Sequence, residues 1–116
     1  MLIHIFLDDY RHCPAGFVPA RNVEECKQLL DSDAVGVLSL DYDLGWGEPT
    51  GIEVVKHIVA TGSYPQRIFL HTSSPAGRMQ MYKLLSEHAP DKVELNNGPM
   101  PDALLLERSR AASQNQ

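Results

Sequence analysis

The sequence predicts an α/β fold built on a mainly parallel sheet covered by helices on both faces. Three observations lead there. Short apolar runs of strand length recur along the chain, segments with helical spacing and capping residues separate them, and three of the runs end in polar clusters. Strands alternating with helices imply parallel crossover units, and in sheets of that kind ligands sit beyond the carboxyl ends of the strands.

Leu2 to Leu7 is the first apolar run, rich in sheet-favouring residues. A helix follows after a gap: Asn22 suits an N-cap with Glu25 three residues on, and Val23, Cys26, Leu29 and Leu30 repeat on one face. Val35 to Leu40 is the next buried strand. Thr50 and Glu53 form a second capping-box pattern, opening a helix through about Ala60 with Ile52, Val55 and Val59 facing inward. Arg67 to Leu70 is again strand-like. Ser74 and Pro75 then supply a cap and a first-turn proline for a helix whose Met79, Tyr82 and Leu85 share a face. Lys92 to Leu95 reads as a last strand and Pro101 to about Arg110 as a last helix. A single domain therefore spans about residues 1–110, and residues 111–116 read as a polar frayed tail.

Composition narrows the functional classes. The 116 residues are 43% hydrophobic and 22% charged, which suits one folded domain rather than a disordered chain. With a formal net charge of -5 and scattered Lys and Arg, a face for an extended nucleic acid is not expected, though local charges can hold a small anion. No apolar stretch reaches bilayer length and Met1 to Leu7 lacks a basic start, so a cytoplasmic protein without membrane association is expected. Cys13 and Cys26 have no metal-ligand spacing and read as reduced thiols. Nothing in the sequence reports the oligomeric state.

The polar clusters at the strand ends carry the chemical signal. Asp8-Asp9 follows the first strand, Asp41-Tyr42-Asp43 the second, and His71-Thr72-Ser73-Ser74 the third. Adjacent carboxylates repel and are costly to desolvate without a counter-charge. Converging carboxylates are ligands that a hard divalent cation favours, Mg2+ first and Mn2+ as the alternative. Beside such an ion, Arg11 and Arg78 can clamp phosphate oxygens while Thr72 and Ser73 donate hydrogen bonds to them. His71, with an unperturbed pKa of about 6.5, suits proton transfer, although a packing role at a strand end is the commoner use of such a residue. Trp46, in Leu44-Gly45-Trp46-Gly47, can stack on a base, but covering apolar surface is the commoner use of a loop tryptophan.

These same stretches resemble the acidic pocket of response-regulator receiver domains, and the resemblance covers nearly the whole chain. It implies a flavodoxin-like, receiver-type parallel five-stranded sheet with helices on both faces. It also implies metal binding by Asp8 and Asp9, phosphoacceptance at Asp41, and phosphoryl contact by Thr72 or Ser73. Asp41 fits the acceptor by its place at the strand end, whereas Asp43 has the more usual spacing to Gly51. Receivers carry a full helix after their Asp-Asp pair; here only the short loop from Tyr10 to Gly16 precedes Phe17-Val18-Pro19-Ala20, so the first helix is reduced or missing. They also place a lysine at the end of the fifth strand, where this chain reads Glu94-Leu95-Asn96-Asn97.

A closer match is the receiver-like group of cyclic-phosphate processing domains, whose pattern is similar to LDD-x-R-x-x-P, then SLD-x-DLG, then a His-Ser-x-Asn-Pro-x-Gly-Arg-like segment. This chain supplies LDDYRHCP, LSLDYDLG with TG following, and HTSSPAGR, with Ser74 in place of the asparagine. The resemblance implies hydrolysis or recognition of a cyclic phosphate. The leading expectation is a metal-dependent phosphoesterase acting on a small phosphorylated molecule such as a cyclic phosphate or cyclic nucleotide. Asp8, Asp9 and Asp41 would hold the metal, Asp43 would support them or activate water, Arg11 and Arg78 would bind phosphate, and His71 would move a proton or orient water. Asp41 as a nucleophile is an open variant. A stand-alone phosphoacceptor receiver and a non-catalytic nucleotide-binding protein are the alternatives.

Overall fold

The computed structural model describes residues 2–114. Its elements run β1 (Ile3–Leu7), β2 (Val18–Ala20), α1 (Val23–Ser32), β3 (Val35–Leu40), α2 (Ile52–Thr61), β4 (Arg67–Leu70), α3 (Pro75–His88), β5 (Glu94–Asn96) and α4 (Asp102–Gln114). The five strands are all parallel in the order β2-β1-β3-β4-β5, the flavodoxin-like order whose switch point lies between β1 and β3.

Alternation along the strands divides the core into two layers. Ile5, Leu7, Leu38, Leu40, Ile68 and Leu70 pack with Val23, Val55, Met81 and Leu85 of α1, α2 and α3. Phe6, Val37 and Phe69 face the other way, against Phe17, Met100 and Leu104. That second face has α4 and the β1–β2 loop as its cover, because residues 8–17 between β1 and β2 contain no helix among the described residues. Phe17, with 9% of its surface exposed, fills space that a helix would take.

Asn22 caps α1 as its sequence suggests, its side chain accepting from the Glu25 amide. Four local expectations shift. Gly51, not Thr50, is the N-cap of α2, and its first turn closes through backbone bonds without a side-chain cap. The inward face of α2 is Val54, Val55 and Ile58, so of the three expected residues Val55 alone is buried. In α3 the buried stripe is Gly77, Met81 and Leu85, an i, i+4, i+8 row that turns Met79 out to solvent, 70% exposed. The last strand begins at Glu94, since Val93 closes a turn onto the Pro90 carbonyl. The end of the chain also differs: α4 continues through Ala111 and Ala112, strong helix formers, to Gln114, and residues 115–116 lie outside the described residues.

Register positions the site. Leu7 is level with Ala20 on one side and Leu40 on the other, and Leu40 is level with Leu70. The next residues, Asp8, Arg21, Asp41 and His71, therefore form one row at the carboxyl edge. Backbone bonds fix three of them there: the amides of Asp8, Asp41 and His71 donate to the carbonyls of Ala20, Leu7 and Leu40 at 3.0, 3.1 and 3.0 Å.

A candidate phosphate and metal site at the strand ends

Asp8 is the hub of the row. It is fully buried. Its Oδ1 accepts from the amides of Tyr10 at 2.8 Å and Arg11 at 2.7 Å, and its Oδ2 from Arg11 Nη1 at 2.8 Å and His71 Nε2 at 2.9 Å. Burial pushes this carboxyl up, but the bonds from Arg11, Tyr10 and His71 outweigh it and bring the pKa from 3.8 down to about 2. The counter-charge that the Asp8-Asp9 pair requires thus comes from within the same loop. Arg11 Nη1 also lies 3.4 Å from Oδ2 of Asp41, so one guanidinium bridges two strand ends. Asp41 is 5% exposed, and its Oδ1 accepts from the Tyr42 amide at 2.8 Å.

His71 lies behind Asp8 and away from the cleft. Its ring is stacked on Phe6 at 4.4 Å and 5°, and its side chain is 7% exposed. An ionised Asp8 can only accept, so Nε2 carries the proton and Nδ1 accepts from the Ser39 hydroxyl at 2.6 Å. Burial pulls its pKa below the usual histidine value, against the raising effect of Asp8 and Asp41. Both ring nitrogens are committed to internal bonds, so the geometry gives His71 the task of orienting Asp8, where the sequence suggested proton transfer.

The cleft in front of this row has a volume of about 390 Å³, within the range of small-ligand sites, and is lined by Asp9, Tyr10, Arg11, Asp41, Asp43, Gly45, Trp46 and Ser73. Asp43 is exposed there, its Oδ1 accepting from the Gly45 amide at 3.2 Å. Thr72 is buried, and its hydroxyl accepts from the Ser74 amide. Ser74 is the N-cap of α3. Arg78 sits in the first turns of α3 and does not line the cleft; no side-chain hydrogen bond or ion pair of Arg78 is present among the described residues. A larger cavity, about 620 Å³ between the starts of α1 and α2, is lined by Glu24, Glu48 and Glu53 against one lysine, the wrong sign for an anionic ligand.

Two supporting residues escape a reading by motif. Arg21, at the end of β2, donates through Nη1 to the carbonyls of Asp8 and Arg11, both at 3.0 Å, and pins the loop. The strand-end rule points to it once β2 is included. Ser39 is the single polar residue of the buried β3 strand, and it fixes the His71 tautomer.

A profile of the cyclic-phosphate processing receiver domain matches residues 3–87. The chain belongs to that family. Among solved structures, the response regulator MaeR bound to beryllium trifluoride is similar to the domain at 16% identity and a TM-score of 0.52, over 96% of this chain and 98% of that one. A fusion carrying the yeast Spc42 trimeric coiled-coil segment is similar at 13% identity and a TM-score of 0.52, over 97% of this chain and 83% of that one. At these identities the two structures establish the receiver-like fold. No curated protein matches the domain. No helix among the described residues is long and apolar enough to cross a membrane.

Receiver domains commonly hold Mg2+ at an acidic site, and the donors here can be tested against that ion. Asp8, Asp41 and His71 each offer a ligand atom within 4.8 Å of the others. The two carboxylates suit a hard divalent cation, and Asp9 adds an exposed oxygen donor on the same cleft, outside this group. The set fits, with one condition: Arg11 already bonds Oδ2 of both Asp8 and Asp41, so an ion at those oxygens replaces it.

The site makes stability depend on pH. A depressed carboxyl stabilises the fold fully above its unfolded pKa of 3.8 and loses that contribution as pH falls toward about 2, amounting to about 2 kcal/mol for Asp8. His71, also depressed, adds a loss that begins as pH falls below 6.5. Chemical denaturation of wild type and Asp8→Asn at pH 7, 5 and 2.5 is expected to show a gap between them that narrows between pH 5 and 2.5. A gap constant across that range refutes the assignment.

Proposed function

We propose that this domain is a divalent-metal-dependent phosphoesterase acting on a small cyclic phosphate. One observation carries the reading: Arg11, held between Asp8 and Asp41 at the strand ends, keeps 43% of its side chain exposed on the cleft, in a loop that stands where receivers carry their first helix. A half-exposed guanidinium at the cleft edge can turn N–H donors to a phosphate.

Asp8 and Asp41 would hold the metal with Asp9, and the ion would supply charge neutralisation at the phosphate and an acidified water. Arg11, freed from the carboxylates, binds phosphate oxygens, and the Ser73 hydroxyl at the cleft edge donates to another. Asp43 takes a proton from the attacking water. The water oxygen bonds to phosphorus, one ring P–O ester bond breaks, and the departing oxygen gains a proton from solvent, leaving a phosphomonoester. Arg78 lies outside the cleft and has no part in this reading.

A screen of cyclic phosphates with Mg2+ or Mn2+, scored by phosphomonoester formed, is expected to find turnover that Asp9→Asn and Asp41→Asn abolish. Turnover on none of them sinks the enzyme reading. Family membership among receivers also favours a second reading, a phosphoacceptor at Asp41; a small phosphodonor with Mg2+ would then leave a stable aspartyl phosphate that Asp41→Asn lacks. The end of β5 argues against that reading, because Asn96 stands near where receivers keep their lysine, with its amide donating to the Ile68 carbonyl and to Glu94.

Arg11→Ala separates the two parts of the site. Phosphate affinity is expected to fall roughly 10- to 100-fold through loss of charge-assisted bonds. The rise in melting temperature produced by Mg2+ is expected to grow, since the ion no longer competes with the guanidinium for Asp8 and Asp41. A smaller Mg2+ shift in the variant than in wild type contradicts this competition.

A further inference from the structure

The cleft also contains an unusual pair of aromatic side chains. All three phenylalanines are buried and Tyr42, Tyr64 and Tyr82 are half-buried. The two remaining aromatics, Tyr10 at 90% and Trp46 at 101%, are fully exposed, and both line the cleft that contains Arg11 and Asp41. The commoner use of a loop tryptophan, covering apolar surface, does not apply to Trp46, which covers nothing. Exposed apolar residues elsewhere, Leu2, Met79 and Leu106, do not line this cleft.

Both aromatics are presented by ordered backbone. The Tyr10 amide is tied to the buried Asp8 carboxylate at 2.8 Å. Trp46 stands between Gly45 and Gly47, whose φ angles of +116° and +79° lie in the region that favours glycine. The Glu48 amide closes that turn on the Gly45 carbonyl at 3.1 Å, and Leu44, 3% exposed, anchors it in the core. Large, rigid aromatic faces beside a cationic phosphate contact are the means by which proteins stack bases without reading their edges.

We propose that Trp46, with Tyr10, is a stacking platform for a nucleobase, so that the ligand class of this cleft is a nucleotide carrying a cyclic phosphate rather than a bare sugar phosphate. The inference rests on the phosphate site proposed above and adds the base. Arg11 holds the phosphate, and the base lies on the indole.

Trp46 is the sole tryptophan, so its fluorescence reports the contact directly. The test titrates the full chain, with Mg2+, against adenosine 2′,3′-cyclic phosphate, adenosine 3′,5′-cyclic phosphate and a baseless methyl riboside 2,3-cyclic phosphate, following fluorescence and binding heat. At least one adenosine ligand is expected to quench Trp46 saturably and to bind roughly tenfold or more tighter than the baseless probe. Trp46→Ala is expected to remove that advantage and leave the affinity for the baseless probe unchanged, while Trp46→Phe retains most of it. An exposed loop side chain contributes little to folding, so unchanged melting temperatures are expected for both variants. If all three ligands bind alike and Trp46→Ala changes nothing, the platform is wrong while the phosphate site stands. If none binds, the phosphate site and the platform fall together.

Discussion

Replacing Asp8 with alanine is expected to destabilise the metal-free domain by about 3–5 kcal/mol, the cost typical of breaking a buried charge network. In a domain of this size that corresponds to a melting temperature lower by roughly 10–20 °C. The loss comes from the groups left behind. Two backbone amides, those of Tyr10 and Arg11, lose their acceptor, and so does His71 Nε2, each in a buried or half-buried setting. Arg11 suffers least, because its side chain is 43% exposed and can turn to solvent. Asp8→Asn is the informative comparison. It keeps one acceptor oxygen for the two amides and presents an NH2 in place of the other. His71 can accept from that NH2 by shifting its proton to Nδ1 and donating to Ser39, so the contact with Arg11 alone becomes repulsive. Roughly half the alanine penalty is expected, and adding Arg11→Met is expected to recover part of it. Urea unfolding of the four proteins tests the order; an alanine variant within about 1 kcal/mol of wild type overturns the hub role of Asp8.

Much of this site was legible before the structure because strand ends of a parallel sheet converge. Asp8, Asp41 and His71 each follow an apolar run, and the register of Leu7, Leu40 and Leu70 brings them together without further information. The partners of each group were not legible. Arg11 could have faced solvent; its bridging position depends on a loop geometry held by Arg21, whose bonds go to backbone carbonyls that no motif advertises. His71 reads as a proton carrier by residue type, but Phe6 and Ser39, two and one strands away in the sheet, fix it as a buried neutral donor. The face expected of α1 is the buried one, whereas those of α2 and α3 shifted for a similar reason. Periodicity gives the spacing of apolar residues, but which edge of the stripe meets the sheet depends on how the helix enters. Gly51 for α2 and the Gly77–Met81–Leu85 row for α3 decide that in three dimensions.

Gly51→Ala is expected to be strongly damaging although no charged group is changed, and its argument is steric. Gly51 has φ -59° and ψ -19°, a conformation any residue adopts, so alanine there would strain no dihedral and would gain about 0.4–1 kcal/mol by restricting the unfolded chain. The added methyl, however, would overlap the backbone oxygen of Asp41 and stand 3.2 Å from Met81 Sδ. A methionine sulfur can move aside; a carbonyl at the end of a buried central strand has no rotamer to change. Relief requires shifting either the first turn of α2, which the Gly51 amide ties to the Tyr42 carbonyl at 2.8 Å, or the Asp41 peptide itself. The first route breaks a backbone bond and the second displaces the carboxylate that shares Arg11 with Asp8. A destabilisation of about 3 kcal/mol is expected, at the upper end for overpacking. Phosphate binding is expected to weaken even at temperatures where the variant stays folded, because the site moves with the backbone. Gly98→Ala, where a methyl would meet open space, is the control and is expected to stay within about 0.5 kcal/mol of wild type. If both variants match wild type in melting temperature and phosphate affinity, α2 does not lie against the Asp41 peptide. The glycine that follows LSLDYDLG in the threonine-glycine pair is thereby assigned a role in bringing α2 against the strand end, separate from any contact with ligand.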